Sequence, residues 1–338
     1  MSPEPDFTGN VTIRDIAKAA GVSISTVSRV LNKRHDQLRE PTRQKVEAAI
    51  REFRYVPNRL AASLKDEKSK TLGMIVSNIS NPYFSAVVRG LQDYAAGAGY
   101  DTFICNSDDN SDAENEHVRS LLSRRVQGLV VTTCAADKSA YQALAERRFP
   151  LVLLDRPIAG LACDCVIVDN RSICQRVIER LAEFGHRRIA VITPPCDEIG
   201  PRVDRVEGCR AGMASQGLEL TPELLLEVDV KADSMSRGVQ ALVSRSSAPT
   251  ALFFLNTLLA AGMIRELRRH RPLRNFVVVT YDDPDWCELL DPMISAVRQP
   301  THDIGRIVAR LAIDRIAHPE RPFEKISLTA EFIERDLR

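Results

Sequence analysis

The 338-residue chain has no apolar run longer than a β-strand and no basic-headed apolar segment near its start. Neither a membrane-spanning helix nor a secretory signal is therefore expected, and the expected location is the cytoplasm. CxxC pairs are absent. The eight cysteines, at 105, 134, 163, 165, 174, 196, 209 and 287, lie mostly in apolar surroundings and read as buried free thiols. Cys163, Cys165 and Cys174 have no histidine at zinc-site spacing, so no metal is expected. The six histidines share no spacing that points to catalysis. No GxGxxG follows a strand, and there is no Walker-type loop or nucleophile–base constellation, which argues against an enzyme and against a cofactor. The single tryptophan, Trp286, reads as packing.

What the chain has is enough apolar residue for ordinary cores, 44%, spread over a length that suits two or three compact units. A net charge of +1 conceals an uneven distribution. Residues 1 to 70 carry 14 Lys or Arg against 9 Asp or Glu, whereas the rest carries 32 against 36. The basic part is the candidate for contact with nucleic acid.

Within that part, VTIRDIAKAAGVSISTVSRVLN, residues 11–32, holds two short amphipathic helices around a glycine turn. Thr12 with Asp15 forms a capping pair, after which Ile13, Ile16, Ala17 and Ala20 recur at helical spacing. Gly21 ends the first helix, and Ser23 is placed to cap the second. Val27, Val30 and Leu31 face inward, while Ile24, Ser25, Thr26, Ser28 and Arg29 face out or lie near the helix start. A helix-turn-helix brings the first turn of its second helix to base edges in the major groove, so short side chains and an arginine there suit a DNA reader. A third helix is expected to be capped by Thr42 after Pro41, with Val46, Ile50 and Phe53 closing the small core.

Residues 1–10 read as a loose arm. Pro57 breaks the helical pattern, and Asn58 to Leu64 provide only two helical turns before the charged KDEKSK, too few for an isolated helix to be stable in water. From Thr71 onward, TLGMIVS, DTFIC, QGLVVTT, PLVLLD, RIAVIT, TALFFL, FVVVTYD and ISAVR alternate with amphipathic segments, the signature of βαβ units. The length suits two sheets, with a first crossing near Asp169 and Asn170. In open α/β sheets ligands bind beyond the carboxyl ends of strands, so polar residues there should line a cleft between two lobes.

The helix-turn-helix stretch, the segment YVPNRLAASL at 55–64 and the long α/β pattern, in this order, resemble the lactose-repressor (LacI/GalR) family of bacterial transcription regulators over nearly the whole chain. The resemblance implies an N-terminal all-α headpiece on an α/β core of two doubly wound parallel-sheet lobes, like a periplasmic binding protein. The expected parts are an arm at 1–10, a headpiece at 11–56, a hinge helix and linker at 57–70, and a core at 71–338. Its lobes are placed at 71–169 plus 299–322 and at 170–298 plus 323–338.

The implied function is sequence-specific repression of carbohydrate or sugar-acid genes, controlled by a small molecule between the lobes. A homodimer on a pseudo-palindromic operator is the expected assembly, and no Leu-heptad tail suggests a tetramer. Arg29, Ile24 and Ser25 would reach bases, with Thr26 beside them. Thr12, Ser28 and Asn32 would hold phosphates, and Asn58, Ala61 and Leu64 belong to the hinge, Leu64 at the position wedged into the minor groove.

The resemblance also picks out the effector contacts: Asp155, Arg205, Asn256, Asp282 and Gln299 at strand ends, Tyr83 and Phe84 from NPYF on the opposite lobe, and Ser77 and Asn170. Hydroxyl-rich ligands need paired donors and acceptors, and their C–H faces favour rings. Arg205 suits a carboxylate or a hydroxyl cluster, which favours a sugar acid over a neutral sugar or a purine. The chain departs from the family pattern at Thr280, Thr257, Ile173, Cys174 and Asp233, so no known effector transfers directly. A transport-type sugar receptor would share the core but has no use for residues 1–70, and an enzyme on a doubly wound sheet would need the missing motifs.

Overall fold

A computed structural model describes residues 11–31, 38–55, 69–196, 199–244 and 248–337. The arm at 1–10, Asn32, and the hinge residues Asn58, Ala61 and Leu64 lie outside the described residues. The chain divides into two compact units, residues 1–69 and 70–338.

The first unit contains α1 (Ile13–Ala20), α2 (Ile24–Leu31) and α3 (Glu40–Glu52). The Asp15 carboxylate accepts hydrogen bonds from the Thr12 backbone N–H at 2.8 Å and from its hydroxyl at 2.6 Å, fixing the start of α1. Gly21 takes a left-handed φ of 66°, which glycine adopts without a Cβ penalty. Ile16, Ala17, Val27, Val30, Val46 and Ala49 form the core of the three helices. Two details differ from the sequence expectation. α3 begins at Glu40, before Pro41, so Thr42 lies inside its first turn, where a proline without an N–H is tolerated. Phe53 is the C-cap and is 41% exposed, and Ala49 and Tyr55 take its share of the packing.

The second unit is built on two six-stranded sheets. The first has the order β11-β5-β4-β3-β1-β2, from β1 (Thr71–Val76), β2 (Asp101–Asn106), β3 (Gly128–Val131), β4 (Leu151–Leu154), β5 (Asp164–Val168) and β11 (Lys325–Leu328). The second has the order β12-β10-β9-β8-β6-β7, from β6 (Ile189–Thr193), β7 (Leu225–Glu227), β8 (Ala251–Phe254), β9 (Val277–Tyr281), β10 (Ser295–Arg298) and β12 (Glu331–Ile333). Every pairing is parallel except β10 with β12. The central strands β1, β3, β4, β6, β8 and β9 are buried along their whole length, as parallel strands covered on both faces should be.

Among the described residues, nine α-helices accompany these strands: α4 (Pro82–Gly97), α5 (Ser111–Ser123), α6 (Ser139–Glu146), α7 (Asn170–Glu183), α8 (Gly200–Ser215), α9 (Ala232–Val243), α10 (Thr257–Leu267), α11 (Trp286–Leu289) and α12 (Thr301–Ala317). No helix among the described residues is long and apolar enough to cross a membrane. The two lobes use the same close helix pairing. A Cβ on Gly90 of α4 would lie 2.2 Å from the His302 carbonyl of α12, and one on Gly208 of α8 would lie 2.3 Å from the Arg171 carbonyl of α7. Glycine at each crossing lets the backbones touch.

The chain passes between lobes three times: after β5 at Asp169, after β10 at Gln299 and Pro300, and between β11 and β12. The last crossing corrects the boundary expected at 322/323, because β11 pairs in parallel with β5, Lys325 opposite Cys165. The physical reason is a buried ion cluster. Asp164, fully buried, accepts from Arg315 Nε and Nη2 at 3.1 Å each, from Arg321 Nη2 at 3.1 Å and from the Glu324 N–H at 2.9 Å. Arg315 also donates to the carbonyls of Pro319 and Pro322. The loop before β11 is thereby fastened to the first lobe.

Candidate functional site: a reading helix and an interlobe cleft

On α2, Ile24, Ser25 and Arg29 are exposed, and Thr26 and Ser28 are half-buried. Ser23 Oγ accepts from the Thr26 N–H at 3.2 Å, and it lies 2.7 Å from Ser25 Oγ and 2.9 Å from Thr26 Oγ1. The first turn of the helix is therefore fixed by its own hydroxyls while Ile24 and Arg29 stand free of the core. Thr12 is exposed at the start of α1. These are the side chains that a DNA-reading role requires on the outside.

In the second unit a cavity of about 490 Å³ opens between the lobes. It gathers eight of the nine expected effector contacts: Ser77, Tyr83, Phe84, Asp155, Arg205, Asn256, Asp282 and Gln299. Each arrives for a local reason. Asn81 caps α4 by accepting from the Tyr83 N–H, and Pro82 opens the helix, which sets Tyr83 and Phe84 in the first turn, their rings edge to face at 4.9 Å. Asp155 and Asp282 follow β4 and β9 in left-handed conformations, φ 62° and 67°. Each accepts from a neutral donor: the Tyr83 hydroxyl reaches Asp155 at 2.7 and 2.9 Å, and Gln299 Nε2 reaches Asp282 at 2.6 Å. The lobes thus present matching carboxylates. Asn256 caps α10 through the Leu259 N–H at 3.0 Å and still lines the cavity.

Asn170 stands apart. It lines an adjoining cavity of about 550 Å³, and its Oδ1 accepts from Arg205 Nε at 2.9 Å and from the Tyr281 hydroxyl at 2.6 Å. Arg205 also donates Nη1 to the Leu255 carbonyl at 2.9 Å and lies 3.6 Å over the Tyr281 ring.

Burial dominates the electrostatics. It pushes the Asp155 carboxyl up to about 6, against the opposing pull of the Tyr83 hydrogen bond and of Arg205 and Arg156. Burial likewise raises Asp282, with Arg205 and Gln299 opposing. Tyr83 is raised well above its ordinary value by burial and by Asp155, so it stays a hydroxyl donor.

Sequence reasoning missed Asp109, Arg156 and Arg202. All three line the cavity, and Asp109 accepts from Arg156 Nη1 and from Arg202 Nη2, each at 2.8 Å. The signal was present: Asp109 and Arg156 follow strands just as Asp155 does, and Arg202 is one helical turn before Arg205. Tyr281 was missed as the platform for Arg205. Among the described residues no group of three His, Cys, Asp or Glu side chains is arranged to hold a metal.

Two family models account for nearly all of the described chain. "Periplasmic binding proteins and sugar binding domain of LacI family" matches residues 69–335, and "Bacterial regulatory proteins, lacI family" matches residues 12–58. The chain belongs to the LacI family of bacterial regulatory proteins. This LacI-family chain is 31% identical over 333 residues to the HTH-type transcriptional regulator KdgR of Bacillus subtilis (strain 168), covering 97% of this chain and 98% of the relative. Among solved structures it is similar to the complex of the transcriptional regulator CelR with cellobiose, with a TM-score of 0.71, 29% identity, and coverage of 97% and 100%. Its fold also matches a Lac repressor dimer bound to operator and the anti-inducer ONPF, with a TM-score of 0.83, 24% identity, and coverage of 97% and 99%.

Proposed function

We propose that this LacI-family regulator is a cytoplasmic repressor of carbohydrate or sugar-acid genes. It binds a pseudo-palindromic operator as a homodimer, and a sugar-type effector in the interlobe cleft weakens that binding. It catalyses no reaction. The observation that carries the reading is the convergence of strand-end groups from both lobes on one cavity, in a chain that also carries an exposed reading helix. The similar CelR structure with cellobiose supports a carbohydrate effector.

A ligand held by Tyr83 and Asp155 on one side and by Arg205, Asn256 and Asp282 on the other favours one relative placement of the lobes. It shifts operator affinity by its differential affinity for the two states. On the DNA side, Arg29, Ile24 and Ser25 read bases, with Thr26 near them, while Thr12, Ser28 and Asn32 hold phosphates. One short recognition helix covers few base pairs, so two subunits are needed for a full site. Asn58, Ala61 and Leu64 join the paired subunits at the operator centre, in keeping with the family resemblance of NRLAASL.

Selection of DNA from a randomised pool by the full chain tests this reading. Wild type should enrich inverted half-sites, and Arg29→Ala should lose about 1–3 kcal/mol against the selected site with relaxed preference at one position. Enrichment of no common sequence by wild type would overturn it.

A further inference from the structure

The cleft contains an ion cluster that hydroxyl recognition does not need. Asp109 of the first lobe sends Oδ1 to Arg156 of the same lobe and Oδ2 to Arg202 of the second, each at 2.8 Å. Both guanidinium groups are also tied to main chain, Arg156 to the Thr133 carbonyl at 3.4 Å and Arg202 to the Pro195 carbonyl at 2.9 Å. Each therefore keeps its position whichever carboxylate lies between them.

Arg205, the expected carboxylate partner, is differently engaged. Its Nε and Nη1 are spent on Asn170 and Leu255, and its face is stacked on Tyr281. With Nε taken by Asn170, its side-on fork, one of the two that make arginine a strong carboxylate receptor, is closed to a ligand. Burial, with the repulsion of Arg156 and Arg205, lowers Arg202 below its ordinary value, and Asp109 opposes that shift. Asp109 is the carboxylate placed between Arg156 and Arg202, while Asp155 and Asp282 line the cavity elsewhere.

We propose that Arg156 and Arg202 form the anion subsite of the effector cavity, that Asp109 fills it in this structure, and that the effector is a sugar acid whose carboxylate displaces Asp109. The assignment rests on reading the cleft as the effector site. A carboxylate is favoured over a phosphate because it offers the same two oxygens as Asp109, which meets the pair with one oxygen on each arginine. Asp109 keeps about a third of its side chain exposed, so its release returns it to water at small cost. Arg205, Asp155 and Asp282 are left to the hydroxyls. A carboxylate spanning Arg156 and Arg202 touches both lobes, which gives the acid the differential affinity that regulation needs.

The test is calorimetric titration of the full chain, at fixed ionic strength, with D-gluconate, D-galactonate, D-glucuronate and D-galacturonate, and with the parent hexoses and their 6-phosphates. At least one acid should bind ~100-fold tighter than its parent hexose. Asp109→Asn removes the internal competitor and should tighten that acid by roughly tenfold, whereas Arg202→Gln should weaken it by roughly thirtyfold or more. Arg156→Gln reads the same loss from the other lobe if the first variant folds poorly.

Equal binding of acid and hexose, preference for a phosphate, or binding of no acid would overturn the subsite. Weaker acid binding by Asp109→Asn would also overturn it, making Asp109 a fixed latch. Retention of a selected operator by the same preparations separates the two readings. Operator binding with indifference to every acid defeats the subsite alone, while acid binding without any DNA retention defeats the regulator reading.

Discussion

The guanidinium of Arg205 lies 3.6 Å above the ring of Tyr281, and both residues donate to the same oxygen of Asn170. Asn170 is buried at the start of α7, where the chain first enters the second lobe, so one amide fixes Arg205 from behind the interlobe cavity. Removing it leaves a buried tyrosine hydroxyl and an arginine N–H unpaired.

Asn170→Ala should therefore weaken effector binding by roughly tenfold or more, the loss typical of hydrogen bonds to charged groups. Operator affinity without effector should change little. Titration of both ligands on the same preparation checks this, and an unchanged effector affinity would show that Arg205 does not depend on Asn170.

Asp155 makes a prediction about pH. Its carboxyl is raised by burial from 3.8 to about 6, so between these values the folded protein binds more protons than the unfolded chain. The contribution of this group makes stability fall as pH rises from about 4 to about 6 and stays level above. Asp155→Asn removes that slope. The unfolding midpoint of the variant should gain on wild type as pH rises through this window, and a gap independent of pH would contradict the assignment.

Asp164→Ala leaves Arg315, 2% exposed, without its carboxylate. The expected loss is about 3–5 kcal/mol, as for breaking other buried ion pairs, seen by chemical denaturation of the second unit. An effect within 1 kcal/mol, on the scale of a surface pair, would mean that the loop before β11 is held by other contacts.

Gly208→Ala should destabilise by about 1–3 kcal/mol, because its Cβ meets the Arg171 carbonyl at 2.3 Å. Effector affinity should fall with it, since Arg205 is on the same helix. Gly200→Ala, with no atom within 4 Å of the added carbon, is the control and should be close to neutral. Equal effects in thermal unfolding would argue against close packing of α7 on α8.

The elements legible in the sequence were those whose periodicity is local. The two headpiece helices carry their caps and apolar faces within a few residues, and the buried strands such as LVLL and ALFF are continuous apolar runs. β5, β7 and β11 were harder to read. KISL of β11 alternates exposed and half-buried residues at a sheet edge, and its place beside β5 is set by Asp164, 160 residues away from Glu324. The cleft carboxylates were visible as polar residues ending strands. The Asp109 bridge was not, because its two arginines come from different lobes and meet only once both sheets are folded. Tyr281 looked like one more apolar strand residue, since nothing local shows that a cation lies on its ring.

The regulator reading stands on coupling between the cleft and operator binding. Fluorescence anisotropy of a selected operator bound to the full chain, followed as the acid found by titration is added, tests it most directly. Wild type should lose operator affinity by about 5- to 150-fold, the range of ordinary coupling energies, and Arg205→Ala should bind the operator normally but respond only at much higher acid concentrations. Operator affinity that does not change with saturating acid, or that tightens, would contradict the account.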